Sequence, residues 1–79
     1  RLVAFVMEEK AVPRQGMTIA PDGVVTSGTH SPLLERGIGL GYVGADRAAP
    51  GTELVVDVRG RPRRARVVPK PIYRREEES

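Results

Sequence analysis

The sequence contains no cysteine, no tryptophan, one histidine, one phenylalanine and two tyrosines. Without cysteine the chain forms no disulfide and no thiolate metal site, and one histidine leaves little capacity for a transition metal. No apolar run approaches the ~20 residues of a membrane-spanning helix, and no signal peptide is visible. These absences argue against a disulfide-stabilised domain, a zinc domain and a membrane partner.

The chain is short, at 79 residues, and 39% of it is hydrophobic. A domain of this size buries roughly 60% of the surface of its unfolded chain and is marginal by itself. We therefore expect one domain with a thin aliphatic core. Because Arg1 leads directly into an apolar strand, we interpret the sequence as a fragment of a longer chain.

Short β-strands separated by turn signals predict an all-β fold, since no helical periodicity of useful length is present. Six or so strands at this spacing favour a small antiparallel barrel or sandwich. In the last two strands, the alternation of apolar and charged residues predicts that Leu54, Val56, Val58, Ala65 and Val67 point inward. The predicted strands cover residues 2–8, 17–20, 24–27, 38–43, 54–59 and 64–68.

Three turns are predicted between these strands. Residues 21–23, Pro-Asp-Gly, indicate a hairpin in which Gly23 takes a positive φ. Residues 32–36 are expected to form one helical turn that ends at Gly37. The fifth and sixth strands should be joined by a tight reversal at Gly60 and Arg61.

Residues 24–32 are predicted to begin as a strand and to become an exposed, hydroxyl-rich corner. Thr26 closes the strand, Ser27 and Gly28 form a bulge or turn, and Pro32 ends the segment. Local bonds to the backbone are expected to hold the corner's shape. The side chains expected to make them are Ser27, Thr29 and Ser31.

The strand at residues 38–43 carries Gly39 and Gly41 between bulkier residues, so one of its faces is nearly bare backbone. Glycine in a strand loses packing and costs entropy, which indicates that another backbone approaches closely. Two explanations remain open: tight packing within a barrel, or a seam with a neighbouring domain.

No catalytic residue is predicted. Ser27, His30 and Ser31 lie close in sequence, but neighbouring residues point to different sides and no acid is placed to orient the histidine. Glu8 and Glu9 are adjacent in an extended segment, so they cannot easily act as a carboxylate pair.

Basic residues cluster toward the C-terminus, although the formal net charge is only +3. This cluster is either a surface for phosphate, carboxylate or nucleic acid, or a solvated hairpin face. A small RNA-binding barrel is therefore an alternative, but few aromatics are available for base stacking, which argues against nucleic acid as a partner. The cluster consists of Arg59, Arg61, Arg63, Arg64, Arg66, Lys70, Arg74 and Arg75.

Residues 23–32, G-V-V-T-S-G-T-H-S-P, resemble the G-x-(V/I)-T-S-G-x-x-S-P signature of the last domain of aminomethyltransferases, the T-protein family of the glycine cleavage system. His30 stands where that family commonly has an aromatic residue, and Ile72 where it commonly has phenylalanine. Further blocks resemble the family in the same order, at residues 2–8, 38–43, 50–59 and 71–74.

The resemblance implies a β-barrel of jelly-roll type that forms the C-terminal domain of a three-domain protein, with residues 1–73 as the barrel and 74–79 as a charged tail. It implies that the parent transfers a one-carbon unit from the lipoylated H-protein to tetrahydrofolate and releases ammonia, in the cytoplasm or in a mitochondrial matrix. This domain would support the folate channel and pack against the upstream domains. The motif residues to which the resemblance gives a structural role are Thr26, Ser27, Gly28, Ser31, Pro32, Gly39 and Gly41.

Two residues are expected to touch folate on the same resemblance. Arg1 matches a basic residue that often precedes the first strand of the family, and Tyr73 lies in its closing segment. The catalytic aspartate of the family belongs to earlier domains, so none is carried over. Related folate-dependent enzymes that oxidise sarcosine or dimethylglycine share this last domain and remain an alternative parent.

Overall fold

The computed structural model describes residues 1–69 and contains six β-strands and a single three-residue 3-10 helix at Ala45–Arg47. The predictions for Ile72, Tyr73 and the charged tail lie outside the described residues. The strands are β1 (Leu2–Met7), β2 (Thr18–Ala20), β3 (Gly23–Ser31), β4 (Arg36–Tyr42), β5 (Glu53–Val58) and β6 (Arg61–Val68).

The strands form a closed barrel in the order β1-β4-β3-β2-β5-β6, and every neighbouring pair is antiparallel. Each of the six described strands pairs with a neighbour on both sides, so none of them stands at an open edge of the barrel, where association with another chain is favoured. The predicted all-β antiparallel barrel is confirmed. Within residues 1–69, no helix is long and apolar enough to cross a membrane.

Inward residues of the strands other than β4 fill the interior with aliphatic side chains around one aromatic ring, Phe5. On β5 and β6 the inward residues are the predicted ones, with Leu54, Val56, Ala65 and Val67 all buried. A fully buried side chain of this size contributes roughly 1.5–3 kcal/mol. The core cluster comprises Val3, Phe5, Met7, Ile19, Val25, Val43, Leu54, Val56, Ala65 and Val67.

Two predicted hairpins are present. Arg59 and Gly60 connect β5 to β6 with φ of 56° and 82°, the two positive values that a type I′ turn requires. β2 and β3 are paired as expected, with Ile19 opposite Gly23. The positive φ expected for Gly23 is wrong: a Cβ there would meet the carbonyl oxygen of Tyr42, so close approach explains this glycine.

The exposed corner predicted after Thr26 is wrong, because β3 continues to Ser31 in register with β4; of the predicted bulge or turn, a bulge is present, slightly earlier than expected. The strand accommodates the irregular segment with a β-bulge between Val25 and Ser27, one extra residue that leaves pairing intact on either side. Gly28 therefore lies opposite Gly39 within the ladder and not in a turn.

The helical turn predicted at residues 32–36 is also wrong. Ser31 pairs directly with Arg36, so only the four residues 32–35 connect β3 to β4, and they form a turn. Glu35 takes a φ of 56° to close this hairpin. Gly37 lies inside β4 and caps no helix.

Candidate functional site

The segment between β1 and β2, residues 8–17, crosses β3 and β4, and we call it the strap. Its Pro13 is fully buried. A Cβ on Gly28 would meet the carbonyl oxygen of Pro13 and lie 2.9 Å from its Cγ, and a Cβ on Gly37 would meet the carbonyl oxygen of Ala11. The glycine of the T-S-G motif therefore makes room for the strap, which seals this part of the barrel.

The other motif residues shape β3 around this contact. The Thr26 hydroxyl, at the bulge, donates to the carbonyl oxygen of Leu40 at 3.2 Å. Ser31 is buried and its hydroxyl accepts from the backbone N–H of Leu34 at 3.3 Å, which fixes the turn that Pro32 begins. Ser27 is exposed. The Ser31 hydroxyl therefore makes the hydrogen bond to nearby backbone that was predicted for it.

Gly39 and Gly41 face the barrel interior. A Cβ on Gly39 would lie 2.8 Å from both the Phe5 ring and the carbonyl oxygen of Ser27. A Cβ on Gly41 would lie 2.8 Å from the Cδ1 of Ile19. Of the two explanations left open by the sequence, close packing within the barrel is therefore the one observed.

Where the strap leaves β1, a group of ion pairs, which we call the clasp, ties it to β6. The Glu9 carboxylate accepts from the Arg64 backbone N–H at 2.8 Å and from the Arg63 guanidinium at 3.2 Å. Arg66 donates to Glu8 at 2.7 Å. The Arg64 backbone hydrogen bond, aided by the two arginine side chains, lowers the pKa of Glu9.

Glu9→Gln is expected to lower the melting temperature at neutral pH but not in acid. Because the folded pKa of Glu9 lies below its ordinary 4.5, its contribution is present above pH 4.5 and is lost as pH falls through the folded value. Thermal unfolding across this pH range measures the effect. Glu35→Gln, in the exposed β3–β4 turn, is the control, and an E9Q difference that stays constant with pH would contradict the account.

On the other side of the clasp, basic residues surround a cleft of about 330 Å³, which we call the cationic cleft. Arg59, Arg61 and Arg63 come from the β5–β6 hairpin, while Lys10 and Arg14 come from the strap. Aliphatic side chains of the strap and β5 line the rest, and no acidic residue among the described ones lines it. The sequence analysis found the hairpin arginines but missed the strap cations, since only the fold brings positions about 50 apart together.

The described members of the basic cluster are divided between the clasp and the cleft, while Lys70, Arg74 and Arg75 lie outside the described residues. Arg64 and Arg66 are paired with Glu9 and Glu8 on the clasp. Arg63 belongs to both, since it bonds Glu9 and lines the cleft. The hairpin is therefore not a uniformly unpaired basic surface, and its concentration of positive charge lies at the cleft.

Of the two residues predicted to contact folate, Arg1 lies among the described residues and Tyr73 lies outside them. Arg1 is exposed, and its backbone nitrogen donates to the carbonyl oxygen of Val43 at 2.7 Å. It borders a cleft of about 380 Å³ that Leu2, Ala48 and Pro69 also line. Its contact with folate stays a prediction.

The described residues form no assembled reaction centre. His30 is exposed whereas Ser31 is buried, and Glu8 and Glu9 are engaged with arginines. In residues 1–69, no group of three or more His, Cys, Asp and Glu residues is placed to hold a metal ion. What this part of the chain offers is a filled barrel, a charged clasp and a cationic cleft.

A family model, curated relatives and a solved structure all place this chain in the same family. The family model described as the glycine cleavage T-protein C-terminal barrel domain matches residues 1–74. An aminomethyltransferase of Geobacillus kaustophilus is 47% identical over 95% of this chain, and a probable aminomethyltransferase of Thermococcus kodakarensis is 46% identical over 92%. The chain spans only 22% and 19% of the length of these curated relatives.

A solved structure shares the fold. The crystal structure of glycine cleavage system aminomethyltransferase T from Bartonella henselae superposes with a TM-score of 0.78 at 27% identity. The match covers 89% of this chain and 21% of the other.

Proposed function

The chain belongs to the glycine cleavage T-protein family as its C-terminal barrel domain, and from this premise we propose that its parent is a tetrahydrofolate-dependent aminomethyltransferase. The parent would take its one-carbon unit from the lipoylated H-protein and release ammonia. Tetrahydrofolate, when bound, supplies the acceptor for that unit. Family membership over residues 1–74 is the observation that carries this proposal.

Within the parent, this domain would supply geometry and not a reacting group. The barrel interior is filled by its own side chains, with Phe5, Met7 and Ile19 fully buried, and the strap packs Pro13 against β3 and β4. A rigid wall of this kind can hold other domains in place and exclude water from a channel beside it, two effects that lower a reaction barrier indirectly. Arg1 and Tyr73 are our candidates for direct contact with folate.

The cationic cleft is our candidate for contact with H-protein. Five basic side chains converge there, and within residues 1–69 Arg63 is the one paired with an acidic residue, the Glu9 of the clasp. Exposed charge of one sign steers the encounter of two proteins and favours a partner face of opposite sign. The aliphatic residues of the cleft, such as Met17 and Val58, offer apolar contact beside the charges.

Charge reversal in the cleft tests this assignment. In the parent enzyme, Arg59→Glu combined with Arg61→Glu is expected to raise the KM for H-protein by about tenfold or more, since charge complementarity mainly sets encounter and specificity. The kcat of tetrahydrofolate-dependent ammonia release should change little. The difference should shrink as salt is added, because exposed charges are screened.

The matched control is Arg47→Glu, which reverses one charge in the β4–β5 connection, far along the chain from the cleft. It should leave the KM for H-protein near the wild-type value. A fall in kcat with an unchanged KM in the double variant would contradict the docking role. A wild-type parent that releases no ammonia would contradict the proposed activity itself.

A further inference from the structure

The outside of the barrel has two chemically different sides. The outward positions of β1 from Leu2 to Val6 and of β4 from Ile38 to Tyr42 carry no charged side chain. On the opposite side, the exposed outward positions of β5 and β6 are mostly charged, with Glu53 opposite Arg66 and Val55 opposite Arg64. Such a division is typical of a domain that covers one side with protein and leaves the other in solvent.

Three large apolar residues stand exposed in one row on the apolar side. Tyr42 is opposite both Leu2 on β1 and Val24 on β3, so the three lie side by side across adjacent strands. Their side chains are 36%, 52% and 39% exposed for Leu2, Tyr42 and Val24. We call them the apolar row. Single exposed hydrophobics are common, whereas three in register form a continuous surface.

We propose that the apolar row is the face on which the part of the parent chain preceding Arg1 docks. This rests on the proposed function, which supplies that part: the barrel is the C-terminal domain of its family and covers 22% of an aminomethyltransferase relative. The chain enters this domain beside the apolar row, because Arg1 and Val43 exchange two backbone hydrogen bonds of 2.7 and 2.9 Å next to Tyr42. A segment arriving at Arg1 therefore comes in beside the row.

The position of the charged residues also favours docking of the preceding part of the parent chain on the apolar row. The cationic cleft lies at the Arg59–Gly60 turn and the strap, while the apolar row lies where β1 begins and β4 ends. Docking on the row leaves the cleft open, so the domain can contact the rest of its own chain and a second protein at once. Interdomain interfaces within one chain bury roughly 600–1,500 Å², so the row would form only part of such an interface.

Thiol labelling of the native parent enzyme tests the proposal. Since these 79 residues contain no cysteine, Val24→Cys and Tyr42→Cys each introduce a single thiol into this domain. Val55→Cys is the matched control, because Val55 is 37% exposed and lies on the charged side. N-ethylmaleimide reaction at each position is followed by mass spectrometry of the digested protein, natively and in concentrated urea.

Cysteines at positions 24 and 42 are expected to react at least about tenfold more slowly than one at position 55 in the native parent, because a docked residue reacts only on local opening. In urea all three should react alike. Equal native rates would overturn the proposal, and so would protection that disappears on dilution, which would assign the row to a second copy. Protection in a parent that lacks ammonia-releasing activity would support the docking face while contradicting the proposed function.

Discussion

Gly28→Ala is expected to lower the free energy of unfolding by about 3 kcal/mol or more, at the upper end of the cost of overpacking. The new Cβ would meet the carbonyl oxygen of Pro13 and lie 2.6 Å from its carbonyl carbon, closer than real Cβ atoms come. Both atoms belong to the backbone of the buried strap, so no side-chain rotation relieves the clash. For a domain of this size the melting temperature should fall by more than about 12 °C.

Gly44→Ala provides the control, because the nearest atom to its new Cβ is a carboxylate oxygen of the exposed Asp46 side chain, which can move away. Its melting temperature should stay within a few degrees of wild type. Thermal unfolding of both variants makes the comparison. If Gly28→Ala melted at the wild-type temperature, the explanation of the T-S-G glycine by the strap would be wrong.

Phe5→Ala is expected to cost about 3–5 kcal/mol, the range measured when a buried phenylalanine is truncated. Its ring is fully buried, and it occupies the space that the missing side chains of Gly39 and Gly41 leave open. Truncation therefore leaves a cavity against bare backbone, which cannot collapse without distorting β4. Denaturant unfolding gives the cost, and Leu33→Ala, at a 65% exposed turn position, is the control.

A double-mutant cycle identifies the ring as the reason for Gly39. Gly39→Ala should be less destabilising in the Phe5→Ala background than in wild type, because one of its two contacts at 2.8 Å is gone while the Ser27 carbonyl remains. The coupling should exceed about 0.5 kcal/mol, the limit within which distant sites are additive. Additive costs would show that the ring and the glycine are independent.

Much of the fold could be predicted from the sequence, because in several strands the pattern of apolar and polar residues matches the burial of their side chains. The alternation in β5 and β6 identified Leu54, Val56, Ala65 and Val67 as inward residues, and burial confirms them. The reversal between β5 and β6 was predicted at Gly60 and Arg61 and lies one residue earlier, at Arg59 and Gly60, because Arg61 already pairs with Val58. The alternating glycines of β4 correctly indicated a close approach by other atoms.

The errors have one physical origin, which is that tertiary contacts override local turn signals. Glycine and hydroxyl residues around Ser27 and Gly28 indicate a corner in isolation, yet pairing with β4 keeps β3 extended and confines the irregularity to a bulge. Pro13 reads as an ordinary loop residue, because the residues it packs against are 15 to 26 positions away in sequence. The signal in the sequence was the group of glycines Gly28, Gly37 and Gly39. These residues leave space that no neighbouring residue in the sequence fills, and the strap occupies it.

The candidate surfaces were less predictable than the barrel. The cationic cleft combines Lys10 and Arg14 with hairpin arginines, and the two segments are brought together by the pairing of β1 with β6 and by the clasp. The apolar row depends on the register of three strands, so a shift of one residue would turn each side chain to the other face.

The most direct test of the account is a single ammonia-release assay with tetrahydrofolate and aminomethylated H-protein, run on the parent enzyme and on the 79-residue chain at equal concentration. The account predicts release by the parent and none above background by the chain, because the domain supplies surfaces and no reacting group. Turnover by the chain alone would contradict that division of roles.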